Sequence, residues 1–354
     1  MKFPGKTLRS KNLNNPFTNN PINQTGNYAI SSFPFFIMRN TLLTLCFTIA
    51  TLSVCHGQVT VKPVDFTEPI SLSKNLQGSP LQLTITPRLA GAVHSIQWKG
   101  QEFIDSHDHG RQMQSASNFD RGTDFSGETF NPTEAGSRSD GIGTSSTSKL
   151  LHLTHTKDQL QTTSQMAFWL APGQTSSGNL AKNKKLLSNH LLTKRITLGF
   201  KQWDNVIRYE ATFSTPIGEF HRYAQFESVT GYMPAQFDTF WGVNIDRQQL
   251  VSLTDGPGEQ RHPVIISFKD RTFAMGVYSP QQPSMGYENA GYGRFRFRAA
   301  KVTKWNSVFR IRNNDGVPAG DYYFDNYVVI GNLTVVMRTI LELEEYFNAG
   351  KEDN

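Results

Sequence analysis

Two histidines, two residues apart, open a polar stretch of the chain that could carry acid/base chemistry. His107 and His109 would lie on one face of an extended segment, and Arg111 would continue that row. A histidine titrates near neutral pH and can donate a proton, and we expect Glu134 or Asp140 to act as the opposing base. The alternative interpretation is a hydrogen-bonded turn without a catalytic role.

The same two histidines also fit a divalent-metal site. A His-x-His pair on a strand is a common ligand geometry, and Asp105, Asp108 or Glu134 could complete the set. No further histidine stands at a diagnostic spacing. The sequence therefore predicts no cofactor and leaves a divalent metal at His107 and His109 as an open alternative.

The stretch 105–151 is poor in aliphatic residues and rich in side chains that hydrogen-bond polar ligands. This composition predicts a long loop without secondary structure of its own, and such loops are often functional. Amide and guanidinium groups bind hydroxyl-rich ligands through paired hydrogen bonds. We expect four residues of this stretch to contact a ligand, namely Arg111, Gln112, Asn131 and Arg138.

A second polar row lies on a predicted strand at residues 223–229. Period-two alternation places four polar side chains on one face of this segment, those of His221, Tyr223, Gln225 and Glu227. We expect Glu227 to join the acid/base groups, and His221 and Tyr223 to bind the ligand. Trp241 and Tyr232 are candidates for stacking on it. A solvated strand face, with the two aromatic rings in the core, is the alternative.

Strands must position most of these groups, because alternating apolar and polar residues run through much of the chain after residue 80. Residues 92–98 and 102–104 form a predicted hairpin around the turn at 99–101. Further predicted strands are 81–86, 191–200, 206–213, 223–229, 264–268, 273–278, 295–297 and 307–311. Their β-branched and aromatic residues, separated by Gly, Pro and Asp, predict an all-β antiparallel sandwich.

One segment is predicted to be helical. Apolar residues recur at three-and-four spacing over residues 333–347, with Asn332 as the N-cap and Gly350 where the chain should leave the helix. Residues 58–354 show no strong composition break and no internal repeat. We therefore expect them to form a single sandwich domain with a C-terminal helix on its outside.

Residues 89–104, LAGAVHSIQWKGQEFI, resemble the early hairpin of the galactose-mutarotase-like proteins. In that group a small residue and a glycine precede an alternating strand, a turn and a second strand that leads to ligand-contacting residues. The group includes aldose epimerases and the sugar-processing domains of polysaccharide lyases and glycoside hydrolases. The resemblance implies a large antiparallel β-supersandwich and a carbohydrate ligand. It does not imply a reaction, because the catalytic Arg, His and Glu motifs of the mutarotases do not align with residues of this chain.

The residue types and the resemblance together predict a secreted protein that acts on a carbohydrate through histidine and carboxylate acid/base chemistry, as an epimerase, a lyase or a glycoside hydrolase. The alternative is a non-catalytic carbohydrate-binding protein that uses the same concave face. Convergence of His107 or His109 with Glu134, Asp140 or Glu227 in one pocket would distinguish the two.

The net charge of +6 does not indicate a nucleic-acid partner. Five basic residues and no acidic ones lie in residues 1–57, which leaves +1 for the rest of the chain. Basic and acidic residues are interspersed in that remainder. We therefore predict a carbohydrate partner and no nucleic acid.

The N-terminal segment has the pattern of an export signal. The apolar run at 42–54 is shorter than the roughly 20 residues of a membrane span and fits the apolar centre of a signal peptide. We predict a signal at 38–57, preceded at 1–37 by a disordered leader or a mis-assigned start. The mature chain would be secreted or periplasmic, with no membrane span.

Both cysteines of the chain, Cys46 and Cys55, fall within that signal. Cleavage after residue 57 would therefore remove disulfides, thiolate nucleophiles and cysteine metal ligands together. An uncleaved membrane anchor and lipoprotein anchoring through Cys55 are the two alternatives to a cleaved, secreted product.

Overall fold

The computed structural model describes residues 64–352, and most of its regular structure is antiparallel β-strand, which confirms the predicted all-β class. One α-helix and two short 3-10 helices, at Pro87–Leu89 and Arg138–Asp140, complete the described part. The strands and the helix are β1 (Ile70–Leu76), β2 (Ser79–Ile85), β3 (Val93–Trp98), β4 (Gln101–Glu102), β5 (Met113–Phe119), β6 (Pro132–Thr133), β7 (Lys149–His155), β8 (Gln159–Phe168), β9 (Thr175–Ser176), β10 (Asn179–Leu180), β11 (Leu187–Phe200), β12 (Trp203–Thr215), β13 (Tyr223–Pro234), β14 (Thr239–Asn244), β15 (Gln249–Leu253), β16 (Gly258–Gln260), β17 (Val264–Ser267), β18 (Ala274–Tyr278), β19 (Tyr292–Phe297), β20 (Val302–Arg312), β21 (Gly320–Gly331) and α1 (Leu333–Glu352).

Most of the strands form two layers, while β4 pairs only with β3, and β9 and β10 form a separate two-stranded sheet. Layer one runs in the order β1-β2-β3-β5-β13-β20-β19-β16. Layer two runs in the order β7-β8-β11-β12-β21-β18-β17-β14-β15. The short strand β6 joins the layers, because it pairs with β5 on one side and with β8 on the other. This is the predicted antiparallel supersandwich.

The main core lies between the two layers. Leu83 on β2 and Phe226 on β13 point inward from layer one, and Ile196 on β11 and Val328 on β21 point inward from layer two. All four belong to one buried apolar cluster, as period-two alternation requires of strands with one face in the core.

The predicted C-terminal helix is confirmed, and it covers the outer face of layer two. Val336 and Ile340 pack there against Ile265 on β17. Gly276 on β18 provides the space, because a Cβ at that position would lie 3.0 Å from Ile340 Cδ1. The Asn332 cap is confirmed as well, since the Val335 amide donates to its Oδ1 at 2.9 Å.

At its C-terminal end the helix differs from the sequence prediction, because it continues through Gly350 to Glu352. A glycine near a helix end costs only about 1 kcal/mol relative to alanine and need not stop the helix.

The hairpin predicted before residue 105 is present as β3–β4. Its turn needs positive φ at both central positions, which Lys99 and Gly100 adopt at 52° and 76°.

The prediction of an unstructured loop at 105–151 was wrong, because this stretch contains β5. All seven residues of β5 are buried, and the strand lies between β3 and β13 in layer one. Its sequence, MQSASNF, has only two large apolar residues, so alternation does not reveal it. Polar side chains are tolerated there because Ser115 donates to the Ser228 carbonyl and Asn118 accepts from the Glu128 amide.

Within residues 64–352, no helix has the length and the apolar character needed to cross a membrane. The predicted leader, the predicted signal and both cysteines lie outside the described residues.

Candidate functional site

A groove lies on the outer face of layer one, where β5, β13 and β20 run side by side. Two adjoining cavities of about 90 and 370 Å³ share Gly110, Glu128, Trp169 and Tyr232. Together they fall within the usual size range of a small-molecule site, about 300–1,000 Å³. We call this feature the groove and define it by its floor of Gln114, Asn118, Glu227, Thr230 and Lys304, its aromatic walls Trp169 and Tyr232, and its rim of Asp108, Arg111, Glu128 and Arg138.

Glu227 lies on the floor, on β13, just before a register shift that separates it from Val229. Its Oε2 accepts hydrogen bonds from Thr230 Oγ1 at 2.8 Å, Lys304 Nζ at 3.0 Å and Asn306 Nδ2 at 3.1 Å. All three donors meet one oxygen, and no described residue donates to Oε1. The carboxylate therefore keeps one oxygen for a ligand.

These contacts fix the charge states of the pair. Burial alone would raise the pKa of Glu227, but the charge of Lys304 and the three hydrogen bonds outweigh burial and lower the pKa below its ordinary 4.5. Burial likewise opposes the charge of Lys304, yet Glu227 and Tyr232 outweigh it and raise the pKa of the lysine. Glu227 is thus an anion at neutral pH.

Aromatic rings form the walls of the groove. Trp169 follows β8, and its amide donates to the Asn131 carbonyl at 2.8 Å. Gly110 allows its ring to approach, because a Cβ at Gly110 would lie 2.8 Å from Trp169 Cη2. On the opposite side, Tyr232 stacks on Phe297 with ring centroids 6.3 Å apart, and Lys304 Nζ lies 5.3 Å from the Tyr232 ring centre.

The rim carries charged groups from the 105–145 stretch. Arg111 pairs with Asp108 at 2.9 Å and donates to the Ala300 carbonyl at 3.1 Å, which ties this segment to the turn between β19 and β20. Glu128 is exposed and accepts from Ser176 Oγ at 2.6 Å. Besides Glu227, the groove therefore has two further carboxylates, those of Asp108 and Glu128.

The structure brings six of the sequence-predicted site residues into or beside the groove, and Tyr232 on its wall is one of them. Glu227 and Asn131 line its inner part, and His109, Arg111 and Arg138 line its outer part. The side-chain amide of Asn131 donates to the Ser117 carbonyl at 2.6 Å, so it also holds the wall to β5.

His109 and His107 differ in accessibility. His109 is 1% exposed, and its ring nitrogens lie 2.8 Å from the Gly141 carbonyl and 2.9 Å from the Arg88 carbonyl. Both nitrogens therefore face carbonyl oxygens, which leaves neither free to bind a metal or to reach a ligand. His107 is exposed and lies outside the groove.

The two other carboxylates expected to converge with the histidines lie elsewhere. Glu134 is fully buried in an ion pair with Lys194, beneath β5, and its Oε2 accepts from the Ser115 amide at 3.1 Å. Asp140 Oδ2 accepts from the Ser137 amide at 2.8 Å and from Thr147 Oγ1 at 2.8 Å, which caps a 3-10 helix. Neither carboxylate lines the groove.

The remaining predicted ligand contacts also lie outside the groove. Gln112 is buried and donates to the His109 carbonyl, and Trp241 donates to Ser267 Oγ on the helix side of layer two. Tyr223 accepts from Arg310 at 3.1 Å. His221 contacts Glu219, away from Glu227.

Four groove residues, Gln114, Glu128, Trp169 and Lys304, were not predicted from the sequence to have a functional role. Gln114, Ala116 and Asn118 alternate at period two, so the alternation of small or polar residues was the available signal for the floor. Trp169 and Lys304 carried no local signal, because only the pairing of distant strands brings them to Glu227.

The groove has the parts that sugar chemistry needs. Amide and carboxylate groups on the floor can bind hydroxyl groups, and the two aromatic walls can cover the apolar face of a sugar ring. The free oxygen of an ionised Glu227 can accept a proton or a hydroxyl hydrogen bond. Among the described residues that line the groove, Glu128 places a carboxyl group on the exposed rim.

No protein-family model matches the chain, and no curated protein matches it. Solved structures are similar to it in fold at low identity. An alpha-mannosidase from Enterococcus faecalis is 12% identical with a TM-score of 0.43, over 73% of this chain and 30% of that one. A glycosyl hydrolase family 38 protein from the same organism is 12% identical with a TM-score of 0.45, over 78% of this chain and 33% of that one.

A candidate aldose 1-epimerase from Klebsiella pneumoniae is 8% identical with a TM-score of 0.33, over 79% of this chain and 86% of that one. The chain spans about a third of the length of the two Enterococcus proteins.

Proposed function

We propose that this protein is a carbohydrate-active enzyme that binds a sugar in the groove and uses Glu227 in acid/base chemistry on it. The observation that carries the proposal is the Glu227 carboxylate, which is held ionised on a polar floor between two aromatic walls with one oxygen unoccupied. The export-type pattern before residue 58 supports a secreted or periplasmic setting for this activity.

Glu227 takes the role of base or nucleophile, since a carboxylate with a lowered pKa is a poor proton donor at neutral pH. Glu128 on the rim is the proposed proton donor. Epimerisation, elimination and hydrolysis each need such a pair, and the two carboxylates of a glycosidase also divide these roles. Lys304 positions Glu227 and fixes its charge.

A non-catalytic sugar-binding protein is the second candidate. The observation that favours it is the ion pair between Glu227 and Lys304, because a carboxylate with three donors on one oxygen is suited to hold a hydroxyl group in place. The two candidates share the groove and differ in whether Glu227 is needed for turnover or only for affinity.

Turnover by the purified chain separates them. We would incubate it with poly- and oligosaccharides and follow reducing ends, unsaturated products and anomeric ratio in parallel. Glu227→Gln should reduce turnover about 10²–10⁴-fold while sugar binding persists, because the amide keeps the shape but cannot accept the proton. Glu345→Gln, the same change at an exposed position on α1, is the matched control and should retain full activity.

Wild-type turnover that survives Glu227→Gln unchanged would reject the catalytic role of Glu227. Saturable binding without any product would favour the sugar-binding protein, with Trp169→Ala expected to weaken that binding. If the purified chain neither binds nor converts any saccharide of the panel, both candidate functions are rejected.

A further inference from the structure

Two buried histidines and a carboxylate converge at the edge of the sandwich, away from the groove. His190 lies on β11 and is 1% exposed, and His221, just before β13, is 3% exposed. Glu219 lies two residues before His221 and remains partly accessible, with an exposed side-chain fraction of 18%. None of the three lines the groove or takes part in the proposed chemistry.

The three side chains meet at one point. His190 Nε2 lies 2.9 Å and His221 Nε2 lies 3.0 Å from Glu219 Oε2, and the three ligand atoms all lie within 4.8 Å of one another. Ligands of tetrahedral zinc, with bonds of about 2.0–2.2 Å, lie roughly 3.4 Å apart. Outward shifts of a few tenths of an ångström would therefore make room for an ion.

The pattern of contacts on Glu219 also suits an ion. Both histidines and, at 3.9 Å, Arg121 Nη1 approach Oε2, while no described residue donates to Oε1. All of these contacts of Glu219 are therefore made by Oε2. A metal ion between Oε2 and the two imidazoles would bind all three ligand atoms at once and would displace the weak Arg121 contact, while Nδ1 of His221 stays buried without a hydrogen-bond partner among the described residues.

Aromatic rings hold the two imidazoles in place. The Phe119 ring packs against both, with centroids 4.9 Å from His190 and 4.5 Å from His221. Glu219 alone of the three reaches a neighbouring cavity of about 280 Å³, whose lining includes Lys182, Lys185 and Ser188. The cluster is therefore enclosed on the histidine side and open on the carboxylate side, as in sites with three protein ligands and one exchangeable position.

We propose that His190, Glu219 and His221 form a site for a divalent zinc-class cation, with a fourth coordination position facing the cavity beside Glu219. Two imidazoles and one carboxylate are ligands that zinc and cobalt accept and that magnesium and calcium do not favour. The ion would join β11 of layer two to the segment that leads into β13 of layer one. The site stands apart from the groove and does not depend on its function.

Metal binding by the tag-free full chain tests the proposal. After treatment with EDTA and dialysis, we would titrate Zn²⁺ by calorimetry and Co²⁺ by its visible absorption. We expect one equivalent to bind, with the cobalt bands of a four- or five-coordinate site. Glu219→Gln keeps the hydrogen bonds but removes the anionic ligand, and should weaken affinity about 100-fold or more. His221→Asn should do the same.

The exposed His155→Gln on β7 is the matched control and should leave the affinity unchanged. Circular dichroism of each metal-free variant establishes that it is folded before it is titrated. Wild-type protein that binds no Zn²⁺ would overturn the proposal, and the cluster would then be a hydrogen-bonded His-Glu-His group. The proposal would also be overturned if the folded Glu219→Gln and His221→Asn variants each still bound one equivalent of Zn²⁺.

Discussion

Glu227 and Glu134 illustrate how neighbours give one residue type two roles. Glu227 faces the groove with three donors on Oε2, whereas Glu134 is enclosed with Lys194 and Tyr209 in the sandwich interior. Burial first, and then the Glu134 charge, raise the pKa of Tyr209 well above its ordinary value, so this hydroxyl stays protonated. An ionised carboxylate is useful for chemistry only in the first of these settings, because a ligand can reach it.

The lowered pKa of Glu227 predicts the acid limit of activity. When folding lowers the pKa of a carboxyl group, the group is ionised and keeps its ion pair at any pH above its pKa in the unfolded chain. It loses its charge and its ion pair as the pH falls through its pKa in the folded protein. The acid limb of turnover, or of sugar affinity, should therefore lie below pH 4.5. Lys304→Met removes the main stabilising charge from a buried carboxylate and should move this limb to higher pH.

The pH profile of the exposed Lys149→Met variant on β7 provides the comparison and should match the wild type. A limb that stays in place in Lys304→Met would show that another group sets the acid limit.

At the scale of elements, the segment between β4 and β5 and the turn after β8 build the groove wall together. Gly110 lies in the first and Trp169 in the second, and the wall forms because a residue without a side chain lets the indole come close. The position of the Trp169 ring is thus set by a contact between two loops.

Gly110→Ala should weaken sugar affinity by about tenfold, since the new methyl group would displace the Trp169 ring and an aromatic contact is worth about 0.5–1.5 kcal/mol. The thermal midpoint should change little, because the wall is partly exposed. Gly127→Ala is the control, as nothing lies within 4 Å of the Cβ it would add. Calorimetric sugar affinities that agree for both variants and the wild type would contradict this role of Gly110.

The C-terminal helix depends on its first turn as well as on its apolar face. Asn332→Ala removes the acceptor of the Val335 amide and should lower the free energy of unfolding in urea by about 1 kcal/mol. Thr334→Ala, at an exposed position in the same turn, should cause no loss, since alanine favours helix. Equal stability of the two variants would argue against the cap.

At the scale of the whole molecule, a buried ion pair links the two layers. Lys194 belongs to β11 of layer two and donates to Glu134 and to the Gly91 carbonyl at 2.7 Å, while Glu134 accepts from Ser115 on β5 of layer one. Both charged side chains have 0% exposure. Removing one partner would leave the other as an uncompensated buried charge.

Lys194→Met should therefore lower the free energy of unfolding by about 3–5 kcal/mol. The double variant Lys194→Met/Glu134→Leu should recover part of that loss, because it removes both charges. Lys74→Met, which breaks the exposed pair with Asp204, should cost about 1 kcal/mol or less. Urea unfolding measures all three, and a small loss in Lys194→Met would contradict the interior role of the pair.

The all-β class, most of the long strands, and the helix with its cap could be predicted from the sequence. These features follow from the period of apolar residues and from local capping, which depend on neighbours in the chain. Glu227 could also be predicted as a site residue, because polar and apolar residues alternate clearly along its strand. The polar strand β5 could not, since its residues are stabilised by partners from other strands.

Which polar residues come into contact depends on the tertiary structure. Glu227 and Lys304 are 77 residues apart in the chain, and Glu134 and Lys194 are 60 apart, so strand pairing and layer packing alone bring them together. The same packing places Glu134 in the interior and Glu128 on the groove rim. The sequence shows only that a residue is a carboxylate. Its accessibility and its neighbours in space determine whether it can contact a ligand.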